Sequence, residues 1–211
     1  MNGIVVFGAG GRAGRAAVGQ ALARGHRVTA VVRHPGGHAD LAVPGVRLVA
    51  GDVTDARHVA EHARGHHAAI AAVFDPGTPP EVFYPAAAGA LRDGLAAAGT
   101  GRLVAVGLAS VLPDGSGTPL MDTPGYPQEY RGFYLAHAAG TQVLTGAGGD
   151  LDWLVLSPAG DFDHGGEPVG RYRVAAADAS SRITYADFAA ALLDEAETPT
   201  RHRTHLGVEA Y

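Results

Sequence analysis

Gly8, Gly10, Gly11 and Gly14, with Arg12 and Ala13 set among them, are the residues whose spacing first suggests a chemistry. They fit two patterns at once, Gly8-x-x-Gly11-x-x-Gly14 and Gly8-x-Gly10-x-x-Ala13. Glycine lets backbone amides approach phosphate oxygens closely, and the free N–H groups at a helix start add partial positive charge. A turn of this kind suits a pyrophosphate. Sites for NAD usually place an Asp or Glu about 20 residues further on, to bind the ribose 2′-hydroxyl. Arg33 stands there instead. A guanidinium pairs well with a 2′-phosphate, so the expected cofactor is NADP, with NADPH preferred over NADH. Arg12 is expected to reach the same phosphate from the other side. Asp52 and Val53 fall where an adenine would be flanked, Asp52 accepting from its amino group and Val53 packing on its face. Asp52 can equally serve as a turn residue.

These residues need a scaffold, and the surrounding pattern supplies one. Gly3–Phe7 is a short unbroken apolar run, as expected of a parallel strand covered on both faces. Arg15–Ala23 reads as a helix with Ala17, Val18, Ala21 and Leu22 on one face, stopped by Gly25. Further strands are expected over 27–33, 46–50, 68–73, 102–106 and 151–156. Helices are expected over 56–64 with Asp55 as cap, over 86–98 and over 128–145. Thr184 and Asp187 have capping-box spacing ahead of the apolar run 188–193. Residues 112–126, rich in Pro, Gly and Asp, read as a loop able to cover a site, and 206–211 as one further edge strand. The β–α alternation, at about 30 residues per βαβ unit, predicts an α/β fold with a doubly wound parallel sheet. One domain over 1–211 is expected, with a small substrate cap and substrate-facing elements mainly in 108–211. Val73, Gly107 and Pro158, at the ends of the fourth, fifth and sixth strands, complete the expected cofactor-binding set.

Composition narrows the partners. With 211 residues, 46% hydrophobic and 18% charged, the chain has the make-up of a single globular domain. A net charge of -5 without a basic stripe disfavours nucleic acid. The absence of cysteine excludes disulfides, thiolate nucleophiles and cysteine-bound metals. The first apolar strand is too short for a signal peptide or a membrane span, so a cytoplasmic protein free of membranes is expected, as a monomer or homodimer. His58, His62 and His66 recur at four-residue spacing, but Arg57 and Arg64 beside them favour a solvated basic face, and no metal site is expected. Trp153 reads as core.

A tyrosine acting as proton donor in short-chain dehydrogenases depends on a lysine in Tyr-x-x-x-Lys to lower its pKa. This sequence contains no lysine. Any proton must come from elsewhere.

The chain resembles the NADH-flavin reductase group of atypical short-chain dehydrogenases/reductases. It is similar, more distantly, to biliverdin-IXβ/flavin reductase among the NmrA-like NAD(P)-binding proteins. The resemblance spans essentially the whole length. It rests on residues 8–14, Val31-Val32-Arg33 and 51–55. More specifically it rests on 151–159, Gly170-Arg171-Tyr172-Arg173 and 181–189. It implies a Rossmann-type domain that binds NAD(P)H and reduces a flavin, a quinone or another planar conjugated acceptor, such as an aromatic polyketide-type intermediate. Carried over by position, Ser110 matches the serine closing the fifth strand near the nicotinamide, and His137 a histidine on the following helix. A second histidine of the biliverdin/flavin reductases falls here at Gly160, with His164 nearby. Tyr134 and His137 are three apart on one helix, with Tyr130 a turn earlier. Ser110, His137 and Tyr134 are therefore the catalytic candidates, with His137 favoured because an imidazole ordinarily titrates near neutral pH. An NmrA-like redox sensor, binding NAD(P) without turnover, is the competing expectation, and an isomerase or cyclase on the same fold a third.

Overall fold

The computed structural model describes residues 3–146 and 150–211. Strand β1 (Gly3–Phe7) lies between β2 (Arg27–Val32) and β4 (Ala68–Ala71), and Ile4, Val5, Val6 and Phe7 are all buried. Burying each such side chain contributes about 1.5–3 kcal/mol. The sheet continues through β3 (Val46–Ala50), β5 (Arg102–Val106), β6 (Asp152–Pro158), β10 (Thr204–Ala210) and β8 (Tyr172–Ala175) in the order β3-β2-β1-β4-β5-β6-β10-β8. All pairs are parallel except β10 with β8. Strands β7 (Asp161–Asp163) and β9 (Arg182–Thr184) pair separately as a parallel ribbon.

Helices α1 (Arg12–Ala23) and α5 (Tyr185–Glu197) cover one face of the sheet, packing Ala17, Val18, Leu192 and Leu193 against Ile4, Val6 and Val104. On the other face α2 (Ala56–Ala63), α3 (Pro80–Ala98) and α4 (Arg131–Thr145) pack Val59, Leu91, Leu95 and Leu144 against Val5, Phe7, Leu103 and Trp153. This is the doubly wound α/β arrangement expected of the sequence. The strand order reverses beside β1, which opens a crevice at the carboxyl ends of β1 and β4.

Local chemistry sets the helix ends. The Asp55 carboxylate accepts from the Arg57 N–H at the start of α2. At α5 the Thr184 hydroxyl accepts from the Asp187 N–H, while the Asp187 carboxylate accepts from the Thr184 hydroxyl and from Val169 and Gly170 N–H. That carboxylate therefore also ties down the chain ahead of β8. Arg102, 5% exposed, pairs with Asp152 and Glu195 at 2.8 and 3.0 Å and donates to the Glu195 and Arg201 carbonyls.

Several boundaries differ from the expectation. Helix α3 starts at Pro80, not at residue 86, because Pro80 suits a first helical position and Pro85 is accommodated within the helix. Helix α4 starts at Arg131, so Tyr130 flanks it as the N-cap. β4 stops at Ala71 and β6 runs on to Pro158. Strand β10 is not an edge strand, since β8 pairs along its outer side. The short strands β7, β8 and β9 carry too few residues for periodicity to mark them.

Candidate functional site

A cavity of about 420 Å³ opens at the carboxyl ends of β1 to β4. The glycine turn lines it at Gly8, Gly10 and Gly11, the chain beyond β2 and β3 at Arg33, Asp52 and Val53, and the chain leaving β4 at Val73, Phe74 and Asp75. Gly8 sits at φ +78°, and a Cβ there would lie 2.1 Å from the Ala72 carbonyl oxygen. A Cβ on Gly14 would lie 2.2 Å from the Gly8 oxygen. Gly14 therefore brings α1 against the turn, while Gly8 brings the turn against the chain leaving β4. Gly11 meets nothing closer than 3.6 Å, and its backbone borders the open cavity.

The expected cofactor residues divide accordingly. Gly8, Gly10, Gly11, Arg33, Asp52, Val53 and Val73 line the cavity; Arg12, Ala13, Gly14 and Pro158 do not. The Arg12 guanidinium lies 2.9 Å from His164 Nδ1, in the chain following β7, and does not line the cavity. Asp52 Oδ1 accepts from the Thr54 N–H and hydroxyl at 2.9 and 2.7 Å. Asp52 thus shapes the turn and borders the cavity together.

Two lining residues carry no sequence signal. The His38 ring packs over Gly10, where a Cβ would lie 2.5 Å from it, and Arg15 approaches its Nδ1 at 3.0 Å. Asp75 Oδ1 lies 2.8 Å from Arg33 Nη1, with the Asp75 side chain 11% exposed and that of Arg33 48%. The Thr78 hydroxyl, Arg33 and the Gly77 N–H hold the Asp75 carboxyl down to about 2. The end of β2 carries no acid of its own, and an acid from the chain leaving β4 stands against Arg33 instead.

A smaller cavity of about 50 Å³ lies beside Val73, under α3 and α4, lined by Tyr84, Gly107, His137 and Thr141 among others. The His137 and Tyr84 rings lie 3.7 Å apart, and the Phe133 ring packs edge-on to both. Burial, with His205 a lesser cause, pushes the His137 imidazole down to about 3. His137 is therefore neutral at pH 7, contrary to the expectation of near-neutral titration. His205 Nε2 lies 2.7 Å from Ser157 Oγ, and burial holds this second imidazole down to about 4. A Cβ on Gly107 would meet both atoms, at 2.7 and 2.9 Å, so only glycine lets β5 end beside that pair.

Of the other catalytic candidates, Ser110 is 2% exposed and its hydroxyl has no hydrogen-bond partner among the described residues, whereas Tyr134 packs edge-on against Tyr126. Neither lines the two cavities. Gly160 has no room for a histidine, because a Cβ would lie 2.3 and 2.4 Å from the Asp178 and Ser181 carbonyls. His164 instead contacts Arg12 and Tyr185.

The solvated basic face expected around α2 is present in part, with Arg57, His58 and Arg64 exposed, but not all three histidines join it. His62 is buried with Nε2 2.9 Å from the Ala50 oxygen, His66 lies beyond the helix against Thr29, and His58 accepts from the Asp52 N–H. Trp153 is core, as its sequence context indicates. Among the described residues no helix is long and apolar enough to cross a membrane.

Comparison with known proteins agrees with this geometry. The NAD(P)H-binding family profile matches residues 8–199. The uncharacterized protein YwnB of Bacillus subtilis is 33% identical over 204 residues, covering 93% of this chain and 92% of its own. Among solved structures, a Burkholderia pseudomallei protein assigned as exported is 33% identical at a TM-score of 0.85, with both chains covered to 100%. A Streptococcus pneumoniae protein assigned as an NADH-flavin reductase is 29% identical at a TM-score of 0.84, again with 100% of both chains covered. The glycine turn, the crevice at the strand reversal and the profile match over nearly the whole chain lead to one assignment: this protein belongs to the NAD(P)H-binding family, with a single Rossmann-like domain.

Proposed function

We propose that this protein is a reductase of the atypical short-chain dehydrogenase/reductase kind, transferring hydride from NADPH, in preference to NADH, to a planar conjugated small molecule such as a flavin or quinone. The observation that carries this reading is the aromatic wall that begins at the cofactor cavity and continues inward. Phe74, 59% exposed at the rim, packs edge-on to Phe133, which touches both Tyr84 and His137. Val73 lines both cavities, so the two spaces adjoin. A flat acceptor can stack against such rings, and stacking with orientation is most of what hydride transfer asks of the protein.

When bound, the dihydronicotinamide supplies the hydride. The residues here hold the parts in place. Gly8, Gly10 and Gly11 present backbone to the diphosphate, Val53 packs beside the adenine, and Arg33 faces the 2′-phosphate. His137, uncharged, acts as a hydrogen-bond donor to the acceptor. Elements in 108–211, including the β7–β9 ribbon, supply the acceptor side.

The test is NADPH oxidation against FMN, FAD and a quinone panel, comparing the parent protein with His137→Ala. Turnover with at least one planar acceptor, weakened in the variant, is the expected result. Tight dinucleotide binding with no turnover on any acceptor would replace this reading with the NmrA-like sensor.

A further inference from the structure

Arg33 stands just beyond β2 and Asp75 in the chain leaving β4, the two strands that flank β1. Their ion pair therefore crosses the carboxyl end of β1, beside the glycine turn and within the cavity wall. Asp75 is the better fixed partner. Its Oδ1 accepts from the Gly77 N–H at 2.9 Å and its Oδ2 from the Thr78 hydroxyl at 2.7 Å, while Arg33 remains half exposed. The carboxylate is built into its loop and the guanidinium reaches over to it.

That arrangement changes what Arg33 can do. Alone, a guanidinium would meet a 2′-phosphate as an uncompensated cation. Paired, it presents a site of nearly zero net charge, and the phosphate must approach a fixed carboxylate to reach it. Like charges at such separations repel appreciably even at a partly exposed site. A ribose 2′-hydroxyl meets no such conflict, because it can donate to Asp75 and accept from Arg33 together. Asp52 adds a second carboxylate to the lining of the same cavity.

Resting on the cofactor reading above, the geometry points to Asp75 as the residue that limits discrimination between NADPH and NADH, acting as a built-in counter-charge to Arg33. The chain accepts both dinucleotides, with at most a modest preference for NADPH. Asp75→Asn removes the charge and keeps an oxygen for the Gly77 N–H, so the loop can persist.

The experiment titrates the full chain with NADPH and NADH by nicotinamide fluorescence, and with the fragments 2′,5′-ADP and 5′-AMP by calorimetry. In the parent protein NADPH should bind less than about tenfold more tightly than NADH. In Asp75→Asn, with Asp75→Ala as the second variant, that ratio should rise about tenfold, and the fragment ratio should rise in parallel. A parent preference of about a hundredfold or more would overturn the proposal, even if neither variant folds. So would an unchanged ratio in a folded variant that still binds both dinucleotides. Failure of the parent to bind either dinucleotide would overturn the cofactor reading itself, together with this proposal.

Discussion

The imidazole of His137 lies against the phenol ring of Tyr84, centroids 3.7 Å apart and planes tilted by 39°. The contact joins α4 to α3 beside the smaller cavity, and burial there, with His205 a lesser cause, keeps His137 uncharged. Burial also raises the Tyr84 hydroxyl above its usual range, so neither ring ionises near neutrality. A neutral pair of this kind gives hydrogen bonds and stacking instead of a charged acid. His137→Ala should therefore lower kcat with a planar acceptor by about a hundredfold while leaving NADPH affinity within about twofold. The parent kcat–pH profile should show no limb near the ordinary histidine value of about 6.5. Steady-state kinetics across pH checks both.

Stability should depend on pH through the buried imidazoles. Burial lowers His66, His137 and His205 in the folded chain, the last two to about 3 and about 4. Between about pH 6.5 and those values the unfolded chain binds more protons than the folded one, so stability is fullest above about pH 6.5 and falls as pH drops. The Tm should decrease by several degrees between about pH 7.5 and about pH 5. His205→Gln should show a shallower decline, measured by calorimetry in matched buffers.

Gly14 and Gly11 should separate packing from binding. A Cβ on Gly14 collides with the Gly8 carbonyl, so Gly14→Ala should destabilise the cofactor-free protein by about 1–3 kcal/mol or more. Gly11 meets only ordinary contact distances, so Gly11→Ala should leave stability within about 1 kcal/mol. It should still weaken both dinucleotides, because Gly11 lines the cavity. Denaturant melts paired with dinucleotide titrations distinguish the two effects.

Phe74 should act on the acceptor alone. It is exposed at the rim and touches Phe133 edge-on. Phe74→Ala should raise the acceptor KM about tenfold, equivalent to losing one aromatic contact, with NADPH affinity and Tm little changed. Comparing FMN with a smaller quinone would show a larger penalty for the wider ring system.

Arg102 should be structural. Its guanidinium is buried between Asp152 and Glu195, so Arg102→Met removes their shared cation, leaves Asp152 with His202 and Glu195 with Thr200 and the Arg201 N–H, and should cost up to about 3–5 kcal/mol. Urea unfolding of the variant measures this directly.

The sequence was most legible where one physical demand ruled one segment. Gly3–Phe7 must be covered on both faces, Arg102–Val106 likewise, and Gly8 must take a positive φ, so strand and turn are written locally. Asp55 and Thr184 cap helices because their oxygens reach N–H groups two or three residues away. Arg33 was legible as a cation but not as half of a pair, because Asp75 comes from another strand end. His205 and Ser157 meet only because β10 inserts beside β6, which periodicity cannot announce. His62 looked solvated beside Arg57 and Arg64, yet α2 turns it inward with Val59 and Ala63, against the Ala50 carbonyl.

The position of β10 also imposes an order on assembly. Strand β6 has no neighbour on its outer side until residues 204–210 arrive, and β8 has no partner in the sheet before then. A chain emerging from the ribosome can therefore close the glycine-turn half early, but leaves a parallel edge unpaired until residues 204–210 are released. That pairing is long-range and intrinsically slow, so the arrival of residues 204–210 governs how long an aggregation-prone edge stays open.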